Sequence, residues 1–365
     1  MKKYLLLALL LWGCAQPLLL RASETTAEAA AKAQPGKLPQ GELSLAKRTS
    51  IKSLAKRGVR VALWRDGVPV FGILDHSKEG ITWTVEQTAS IKLPHHLPTL
   101  VASNGLAILQ YGDNINRDNP AKTDLFFVDA RGQETARIVD RYGSPASVEM
   151  ADDGHVAVAG PLLENNQRTE IGLYTATGEK RFQVLLADGR RANLAVPTPE
   201  GQRVAVFSTD TRNYLANHRL ELFDGDGKKL AEQPELGILQ KAVVVAGGKL
   251  LFVQAKDRYG LIDANNGAVL WSRNEVLRLI SPYGAATDPQ GKTLFLVAAE
   301  WDGVPKARYP WRVEVRDVAS GNELARFKLP DTYPGNMGRV FLSVTNEQIE
   351  LLAGDERIVL AWRRP

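Results

Sequence analysis

The sequence predicts an all-β protein in which a unit of strand, turn and strand repeats along most of the chain. The unit is clearest between Arg258 and Trp271, where apolar and polar residues alternate up to Asp263, Asn266-Gly267 supplies a tight turn, and a second strand follows. Four looser copies, each an alternating strand that ends in a glycine turn, occupy residues 125–132, 171–178, 220–227 and 313–321. Helical periodicity is largely missing beyond residue 58, so strands build the fold.

Two series of turns interleave along this region. The first series ends at Gly105, Gly154, Gly201, Gly248, Gly291 and Glu347. The second series ends at Gly132, Gly178, Gly227, Gly267 and Gly321. Each series repeats every 40–50 residues or so, and four strands in a period of about 40–50 residues are typical of one blade of a β-propeller. The fold class predicted is therefore an all-β propeller of four-stranded blades.

The chain resembles the broad superfamily of WD40-like and quinoprotein-like (PQQ-like) propellers. The motif that carries the resemblance is Gly260, an apolar pair, Asp263, Gly267 and, four residues later, Trp271. The other copies lack that tryptophan. The resemblance covers roughly residues 59–365 and implies the fold rather than an activity. A quinone would need ligands and a docking tryptophan that are not assembled here, so no cofactor is expected.

The number of blades follows from the order of the strands. Five four-stranded blades are predicted to begin near Pro98, Pro145, Ala192, Lys241 and Tyr283. The chain then ends with three strands, at residues 339–344, 348–352 and 357–362. Because a three-stranded blade would expose a sheet edge, the N-terminal strand Val59 to Trp64 is expected to close the ring. Residues 69–92 then form a seventh, irregular blade. In the six-bladed alternative, Arg65-Asp-Gly67 joins two strands of the closing blade.

The N-terminus is predicted to be a secretory signal over residues 1–22. Lys2-Lys3 is followed by a leucine-rich apolar run that is too short for a membrane-spanning helix. The run leads to Cys14, and Leu11-Trp-Gly-Cys14 resembles the bacterial lipoprotein box, in which the cysteine is lipidated. With Ala15 next to the cysteine, the resemblance implies the outer membrane. The alternatives are an ordinary signal that yields a soluble secreted protein and an uncleaved anchor.

Residues 23–58 are predicted to be a flexible basic tether, and residues 59–365 the propeller. Residues 1–58 carry a charge of +7 and the whole chain +5, so the repeats carry −2. The basic pI therefore comes from the leader and the tether, and a nucleic-acid partner is not expected. Within the tether, Ser44 to Arg48 repeats as Ser53 to Arg57; the segment is predicted to be a solvated spacer or, alternatively, a contact with anionic lipid.

A partner-binding rim is predicted on one face of the propeller. In propellers, the connections between second and third strands share a face with those between blades, and ligands tend to bind there. Four connections between second and third strands are long, at residues 111–123, 161–169, 210–217 and 300–310. Long loops in a compact fold are usually functional. Tyr, Trp and Arg are typical interface anchors. The candidate rim residues are Tyr111, Asn116, Arg168, Arg212, Tyr214, His218, Trp301, Arg308, Tyr309 and Trp311. The alternative is that the loops are insertions without a role.

Catalytic and metal-binding patterns are weak. The sequence contains no GxSxG, HExxH or P-loop motif. Residues 114–118 alternate oxygen-bearing side chains but lack the closing glutamate of a calcium loop, and His95-His96 lies in a linker without obvious partner ligands. The only cysteine is Cys14, so neither an intrachain disulfide nor a cysteine metal site is expected. No catalytic residue and no metal site are therefore predicted.

The leading functional hypothesis is a non-catalytic propeller of the cell envelope, periplasmic or anchored in the outer membrane, that binds a protein partner as a scaffold. The expected partner is another envelope protein. One alternative is a metal-dependent hydrolase of the lactonase type, with carboxylates from several blades pointing into the channel. The other is a binder of small ligands or carbohydrates with an aromatic cleft.

Overall fold

A computed structural model describes residues 41–365 apart from 51–57, 66–67, 86–89, 115–120, 145, 214–216, 235–236, 276–277, 280–283, 300–310, 330–339, 346, 354–355 and 365. Almost all regular structure in these ranges is β-strand. Two single-turn 3-10 helices, Pro199–Gly201 and Ala246–Gly248, lie between strands.

The strands lie as follows in chain order. The first nine are β1 (Glu42–Ser50), β2 (Gly58–Arg65), β3 (Val68–Ser77), β4 (Gly80–Val85), β5 (Ile91–Lys92), β6 (Thr99–Val101), β7 (Ala107–Asn114), β8 (Lys122–Asp129) and β9 (Glu134–Gly143). The next twelve are β10 (Ser147–Met150), β11 (Val156–Pro161), β12 (Thr169–Tyr174), β13 (Lys180–Leu185), β14 (Arg190–Pro197), β15 (Arg203–Asp210), β16 (Arg219–Asp224), β17 (Lys229–Pro234), β18 (Leu239–Val245), β19 (Leu250–Ala255), β20 (Tyr259–Asp263) and β21 (Val269–Arg273). The last eight are β22 (Arg278–Leu279), β23 (Ala285–Thr287), β24 (Thr293–Ala299), β25 (Trp311–Asp317), β26 (Glu323–Lys328), β27 (Val340–Val344), β28 (Gln348–Ala353) and β29 (Glu356–Arg363).

These strands form seven antiparallel sheets, which are the blades of a β-propeller. Blades 1 to 5 are β2–β5, β6–β9, β10–β13, β14–β17 and β18–β21. Blade 6 is β22–β26, in which β22 and β23 both pair with β24 as two pieces of one first strand. Blade 7 has the order β27, β28, β29, β1. The prediction of seven blades is confirmed, and the six-bladed alternative is wrong.

The strand that completes blade 7 differs from the one predicted. β1 pairs antiparallel with β29 from Glu42 opposite Arg363 to Ser50 opposite Glu356, whereas Val59 to Trp64 lie in β2, the first strand of blade 1. The sheet therefore begins at residue 42, inside the segment predicted to be a tether. β1 escaped detection because it is an outermost strand with mostly exposed side chains, so it lacks a clear alternation of apolar and polar residues.

Six buried clusters join consecutive blades, from blades 1 and 2 to blades 6 and 7. Successive side chains of a strand point to opposite faces of its sheet, so each blade contributes to the cluster on either side. In blade 4, for example, Val206 faces blade 3 and Phe207 faces blade 5. The first strands of neighbouring blades approach one another, as β10, β14, β18 and β23 do in turn, so they are the innermost strands.

The residues predicted to be core positions are mostly buried. Those at the boundaries between blades are Leu173, Val206, Leu222, Phe252, Phe295, Val315 and Leu351. Phe126 is the exception, because it is half-buried and stacks on His95 with 3.9 Å between ring centroids. Trp271 lies between blades 5 and 6, which confirms its prediction as a wedge between blades.

Candidate functional site

The two faces of the propeller differ in how their connections are used. The turns between first and second strands bind one another across blade boundaries. Ser103 Oγ donates to Asp152 Oδ1 at 2.6 Å between blades 2 and 3, and the Ala246 backbone N–H donates to Thr287 Oγ1 at 3.1 Å between blades 5 and 6. This turn face therefore holds neighbouring blades together.

The opposite face, here called the loop face, carries the connections between second and third strands. Two predicted rim arginines lie there with fixed backbones and exposed side chains. The Arg168 N–H donates to the Asn165 carbonyl at 3.0 Å, and the Arg212 N–H donates to Asp210 Oδ1 at 2.8 Å. Both loops present a guanidinium to solvent from an ordered turn.

Three other predicted rim residues lie deeper. Tyr111 is half-buried in β7, and its backbone N–H donates to the Pro98 carbonyl at 2.9 Å. His218 is 7% exposed, and its Nε2 has no hydrogen-bond partner within the described ranges. Trp311 is 3% exposed and belongs to the cluster between blades 6 and 7. His218 and Trp311 are therefore not rim anchors; they border or begin strands whose alternation turns them inward.

The remaining predicted site residues lie outside the described residues. They are Cys14, Asn116, Tyr214, Trp301, Arg308 and Tyr309. Their assignments to lipidation and to the rim stay predictions.

Tyr142, which precedes Gly143 at the end of β9, is structural. It is fully buried, and its hydroxyl lies 2.9 Å from that of Tyr174 across blades 2 and 3. Beside this pair, Arg141 donates to both carboxylate oxygens of Glu170, at 2.7 and 2.5 Å. Tyr142 thus supports the boundary between blades 2 and 3.

His95 of the predicted linker has a structural partner, because its Nε2 lies 2.7 Å from Glu134 Oε2. In the part of the chain that the structure describes, no group of three or more His, Cys, Asp or Glu residues is placed to hold a metal ion. Over the same part, no helix is long and apolar enough to cross a membrane.

A cavity of about 350 Å³ lies at the loop face of blade 4. Its lining includes the Ala187–Gly189 connection from blade 3 and residues of all four strands of blade 4. Eight lining residues are charged: Asp188, Arg190, Asp210, Arg212, Arg219, Glu221, Lys229 and Glu232. The side chains of Ser208 and Glu221 share a sheet face with Val206 and Phe223, which pack on blade 3. The cavity therefore lies on the side of blade 4 that faces blade 3.

Arg190 at the start of β14 is the most buried cation of this cavity, at 8% exposed. Its Nη2 donates to the Ser208 carbonyl at 2.8 Å and to Ser208 Oγ at 2.7 Å, and its Nη1 donates to the Asn217 carbonyl at 2.7 Å. No carboxylate in the described ranges lies within ion-pair distance of the Arg190 guanidinium. Burial, and secondarily the charge of Arg219, lower the pKa of Arg190. The guanidinium is thus hydrogen-bonded but lacks a counter-ion.

The charged groups on β16 and β17 neutralise one another instead. Lys229 Nζ lies 3.2 Å from Glu221 Oε1 and 2.8 Å from Glu232 Oε2, and Arg219 Nη1 lies 2.7 Å from Glu232 Oε1. The hydrogen bond to Glu232 raises the pKa of Lys229, and the pKa of Glu232 is lowered in return. Two cations and two carboxylates therefore form a closed network on one wall.

In blade 6, the position equivalent to Glu221 is occupied by Glu314, which is surrounded by arginines. Glu314 precedes the aspartate that ends its strand by three residues, as Glu221 does. Glu314 is completely buried, accepts hydrogen bonds from Arg312 and Arg316, and lies opposite Arg326. The residue opposite Glu221 is Glu232. Blade 4 therefore has Glu232 at the position where blade 6 has Arg326, and it lacks the guanidinium cluster of blade 6.

Sequence reasoning missed most of this cavity. It identified the 210–217 loop and Arg212, but not Arg190, Ser208 or Glu221. Glu221 stands between two leucines in an alternating strand, which is also the pattern of an exposed polar position on a half-buried strand. A charged residue at the position shared by Glu221 and Glu314 was the available signal, and only strand register shows that the two correspond.

Comparisons with known proteins show the fold. The chain matches no protein-family model and no curated protein sequence. It is similar to Hsv2 of Kluyveromyces lactis, with a TM-score of 0.50 and 9% identity over 78% of this chain and 87% of that chain. A KlHsv2 form with loop 6CD replaced by a Gly-Ser linker gives 0.50 and 10% over 82% and 90%.

A further solved structure, the Dos1 propeller, gives a TM-score of 0.47 and 12% identity over 87% of this chain and 95% of that chain. The Hsv2 structures support the propeller fold. The finer resemblance to quinoprotein repeats stays a prediction. Together with the seven sheets, the likeness to the Hsv2 structures shows that this chain is a seven-bladed β-propeller.

Proposed function

We propose that this protein is a non-catalytic propeller of the cell envelope that binds a protein partner through its loop face. The observation that carries the proposal is the exposure of Arg168 and Arg212 on hydrogen-bonded loops of adjacent blades. Ser103, Asp152, Ala246 and Thr287 use the turn face to join blades, whereas Arg168 and Arg212 reach solvent from the loop face. Side chains that are held by an ordered backbone and make no contact between blades are available to a partner.

The chemistry of the loop face fits a protein partner. Arginine is enriched among interface residues that contribute most to binding, because its planar guanidinium forms paired hydrogen bonds and also stacks on aromatic rings. Arg168 and Arg212 lie on the adjacent blades 3 and 4. A partner that covers both loops would bury two guanidinium groups and the edge of the blade 4 cavity.

The cavity of blade 4 does not have the set of acids expected of a channel hydrolase. A channel hydrolase is expected to gather carboxylates from several blades. The carboxylates of the described cavity come from blade 4 and the connection that precedes it: Asp188, Asp210, Glu221 and Glu232. Two of them are neutralised by Lys229 and Arg219, which makes them poor candidates for a general base.

The envelope location rests on the leader sequence. Lys2-Lys3, the leucine-rich run and Cys14 have the order of a lipoprotein signal. Cys14→Ala is expected to move the protein from the membrane fraction to the soluble fraction, which immunoblotting of fractionated cells would measure. Unchanged membrane association of Cys14→Ala would overturn the lipid anchor and leave the partner-binding proposal standing.

Partner binding is tested by charge reversal on the loop face. The protein carrying Arg168→Glu and Arg212→Glu would be recovered from crosslinked envelopes of its native cell and compared with wild type by quantitative mass spectrometry. We expect at least a tenfold loss of the proteins that wild type recovers in stoichiometric amounts, with an unchanged melting temperature. A matched control, Glu179→Arg with Asp226→Arg, reverses exposed charges on the turn face of the same two blades. Equal recovery by both double variants would reject the proposal.

A further inference from the structure

The cavity of blade 4 holds unpaired charges of both signs. Arg190 has no carboxylate within ion-pair distance in the described ranges, as shown above. Asp188 and Asp210, which line the same cavity, likewise have no cationic side chain within ion-pair distance there. Arg190 is buried and Asp210 is half-buried, whereas Asp188 is exposed. Buried or half-buried charges without counter-ions are costly, since little water is available to replace a partner. The cavity therefore offers two cationic groups, Arg190 and Arg212, and two anionic groups, Asp188 and Asp210, that make no ion pair within the described ranges.

We propose that this cavity binds a small zwitterion, whose carboxylate contacts Arg190 and whose ammonium group contacts Asp188 and Asp210. This inference is independent of the protein partner proposed above. It assigns a small-molecule site to blade 4, with amino acids and short peptides with free termini as the chemical class.

Strand register supplies the strongest support. Arg190 and Asp210 occupy directly opposed positions on β14 and β15, where oppositely charged side chains ordinarily attract one another. They do not pair. Arg190 is held by Ser208 and the Asn217 carbonyl, and Asp210 Oδ1 accepts the Arg212 backbone N–H. Each side chain is fixed by neutral or backbone groups, and the two charges do not come within ion-pair distance of each other.

The hydrogen-bonding capacity of Arg190 also fits. A guanidinium has five N–H groups, two of them on Nη1. Nη1 donates to the Asn217 carbonyl alone within the described ranges, so one charged N–H remains for a ligand carboxylate, and a charge-assisted hydrogen bond of this kind is among the stronger ones. Ser208 fixes the other side of the guanidinium, which orients that N–H before a ligand arrives.

The size of the cavity restricts the ligand. A volume of about 350 Å³ lies near the lower end of the range of about 300–1,000 Å³ that small-molecule sites span. The paired network of Glu221, Lys229, Glu232 and Arg219 has no net charge and therefore attracts neither a simple anion nor a simple cation. A ligand with both charges is attracted by Arg190 and by the two aspartates, whereas an acid or an amine alone is repelled by one of them.

Isothermal titration calorimetry of the purified protein with three zwitterions tests the proposal. Glycine, 4-aminobutyrate and the dipeptide Ala-Ala present increasing separations between ammonium and carboxylate. We expect at least one to bind, and for Ala-Ala we expect at least tenfold tighter binding than for N-acetyl-Ala-Ala, which lacks the ammonium group, or Ala-Ala amide, which lacks the carboxylate. If none of the three binds, or if the capped dipeptides bind as well as Ala-Ala, the proposal is wrong.

Two variants locate the site. Asp210→Asn keeps an oxygen that accepts the Arg212 N–H but removes the charge, and we expect it to weaken binding of the ligand at least fivefold. Asp226→Asn, on the turn face of the same blade, should leave binding unchanged. Unaltered affinity in Asp210→Asn would place the ligand elsewhere and overturn the assignment. Arg190→Gln is expected to abolish binding; if it fails to fold, Asp210→Asn and the capped dipeptides still decide the question.

Discussion

The indole Nε1 of Trp271 donates a hydrogen bond of 2.8 Å to the carbonyl of Val318, and this bond crosses the boundary between blades 5 and 6. The ring is almost fully buried and packs edge-on against Tyr259. On the other side, Gly321 has a φ of +68° and leaves no room for a Cβ, which would lie 2.4 Å from the indole. Trp271 therefore binds the turn that ends the third strand of blade 6.

Two substitutions of Trp271 should destabilise the boundary between blades 5 and 6 by different amounts. Trp271→Phe keeps an aromatic ring but leaves the buried Val318 carbonyl without a donor, at a cost of about 1–3 kcal/mol. Trp271→Ala also opens a cavity, for a total of about 3–5 kcal/mol. Urea unfolding followed by circular dichroism would measure both. The exposed neighbour Leu270 is the control, and Leu270→Ala should change stability by less than about 0.5 kcal/mol. Equal losses of stability in Trp271→Ala and Leu270→Ala would contradict the role of Trp271 as a wedge between blades 5 and 6.

The arginine cluster of blade 6 gives a second prediction. Burial alone would raise the pKa of Glu314, but the charges and hydrogen bonds of Arg316 and Arg312 outweigh it and lower the pKa. Within the described ranges, Glu314→Gln would leave Arg312 without its anion and Arg316 with only the more distant Glu323, at 3.8 Å. Loss of one partner of a buried ion pair costs about 3–5 kcal/mol. Glu323→Gln, in the same blade but half-exposed, should cost about 1 kcal/mol or less. Similar unfolding midpoints for the two variants would disprove the structural role of Glu314.

Acidic pH should destabilise the propeller, because it protonates Asp153 on the turn face. Asp153 accepts hydrogen bonds from His155 Nδ1 and from the backbone N–H of Glu200 in blade 4. Burial would raise the pKa of Asp153, but these hydrogen bonds, His155 first, outweigh it and lower the pKa below its usual 3.8. Because the folded pKa is the lower one, this stabilisation is present above the unfolded pKa and is lost as the pH falls through the folded pKa.

The corresponding measurement is the unfolding free energy of wild type and Asp153→Asn between pH 6 and pH 3. We expect wild type to lose stability below a pH of about 4, near the unfolded pKa of an aspartate, and Asp153→Asn to lose less over the same interval. Asp226→Asn is the control, because its carboxylate makes no hydrogen bond or ion pair with another blade in the described ranges. Parallel curves for wild type and Asp153→Asn would show that this contact does not contribute.

Closure of blade 7 by β1 predicts the effect of truncation. A protein that starts at residue 51 lacks β1 and exposes the edge of β29, including Glu356, which Arg48 contacts at 2.6 and 3.1 Å. Exposed sheet edges promote aggregation. We expect this protein to melt at a lower temperature and to aggregate, whereas one that starts at residue 41 should behave as the longer chain does. If both truncated proteins were equally stable, β1 would not be part of the blade.

The fold was predictable because turns and alternating strands are local features. The glycines that end the turns, such as Gly267, were visible in the sequence, and they set the spacing from which seven blades followed. β1 could not be recognised in the sequence, because an outermost strand needs only one partner strand and keeps polar side chains such as Lys47 and Arg48. Its place in the sheet is decided by pairing with β29, more than 300 residues away, which no local pattern records.

The candidate site was less predictable than the fold. Loop length identified the face and Arg212, but strand register turned His218 and Trp311 inward. The unpaired state of Arg190 depends on the direction of its side chain toward Ser208 and the Asn217 carbonyl, and on the distance that separates it from Asp210. The sequence shows neither that eight charges surround the cavity nor which of them neutralise one another, and that pairing is what distinguishes a site from a solvated surface.

The central claim, that the loop face binds a partner protein, is tested most directly by photo-crosslinking in the native cell. A photoreactive amino acid would be placed at Arg168 or Arg212 on the loop face, and at Glu179 or Asp226 on the turn face of the same blades. We predict that both loop-face positions crosslink to the same envelope protein and that neither turn-face position does. Crosslinks to that protein from the turn face, with none from the loop face, would contradict the account.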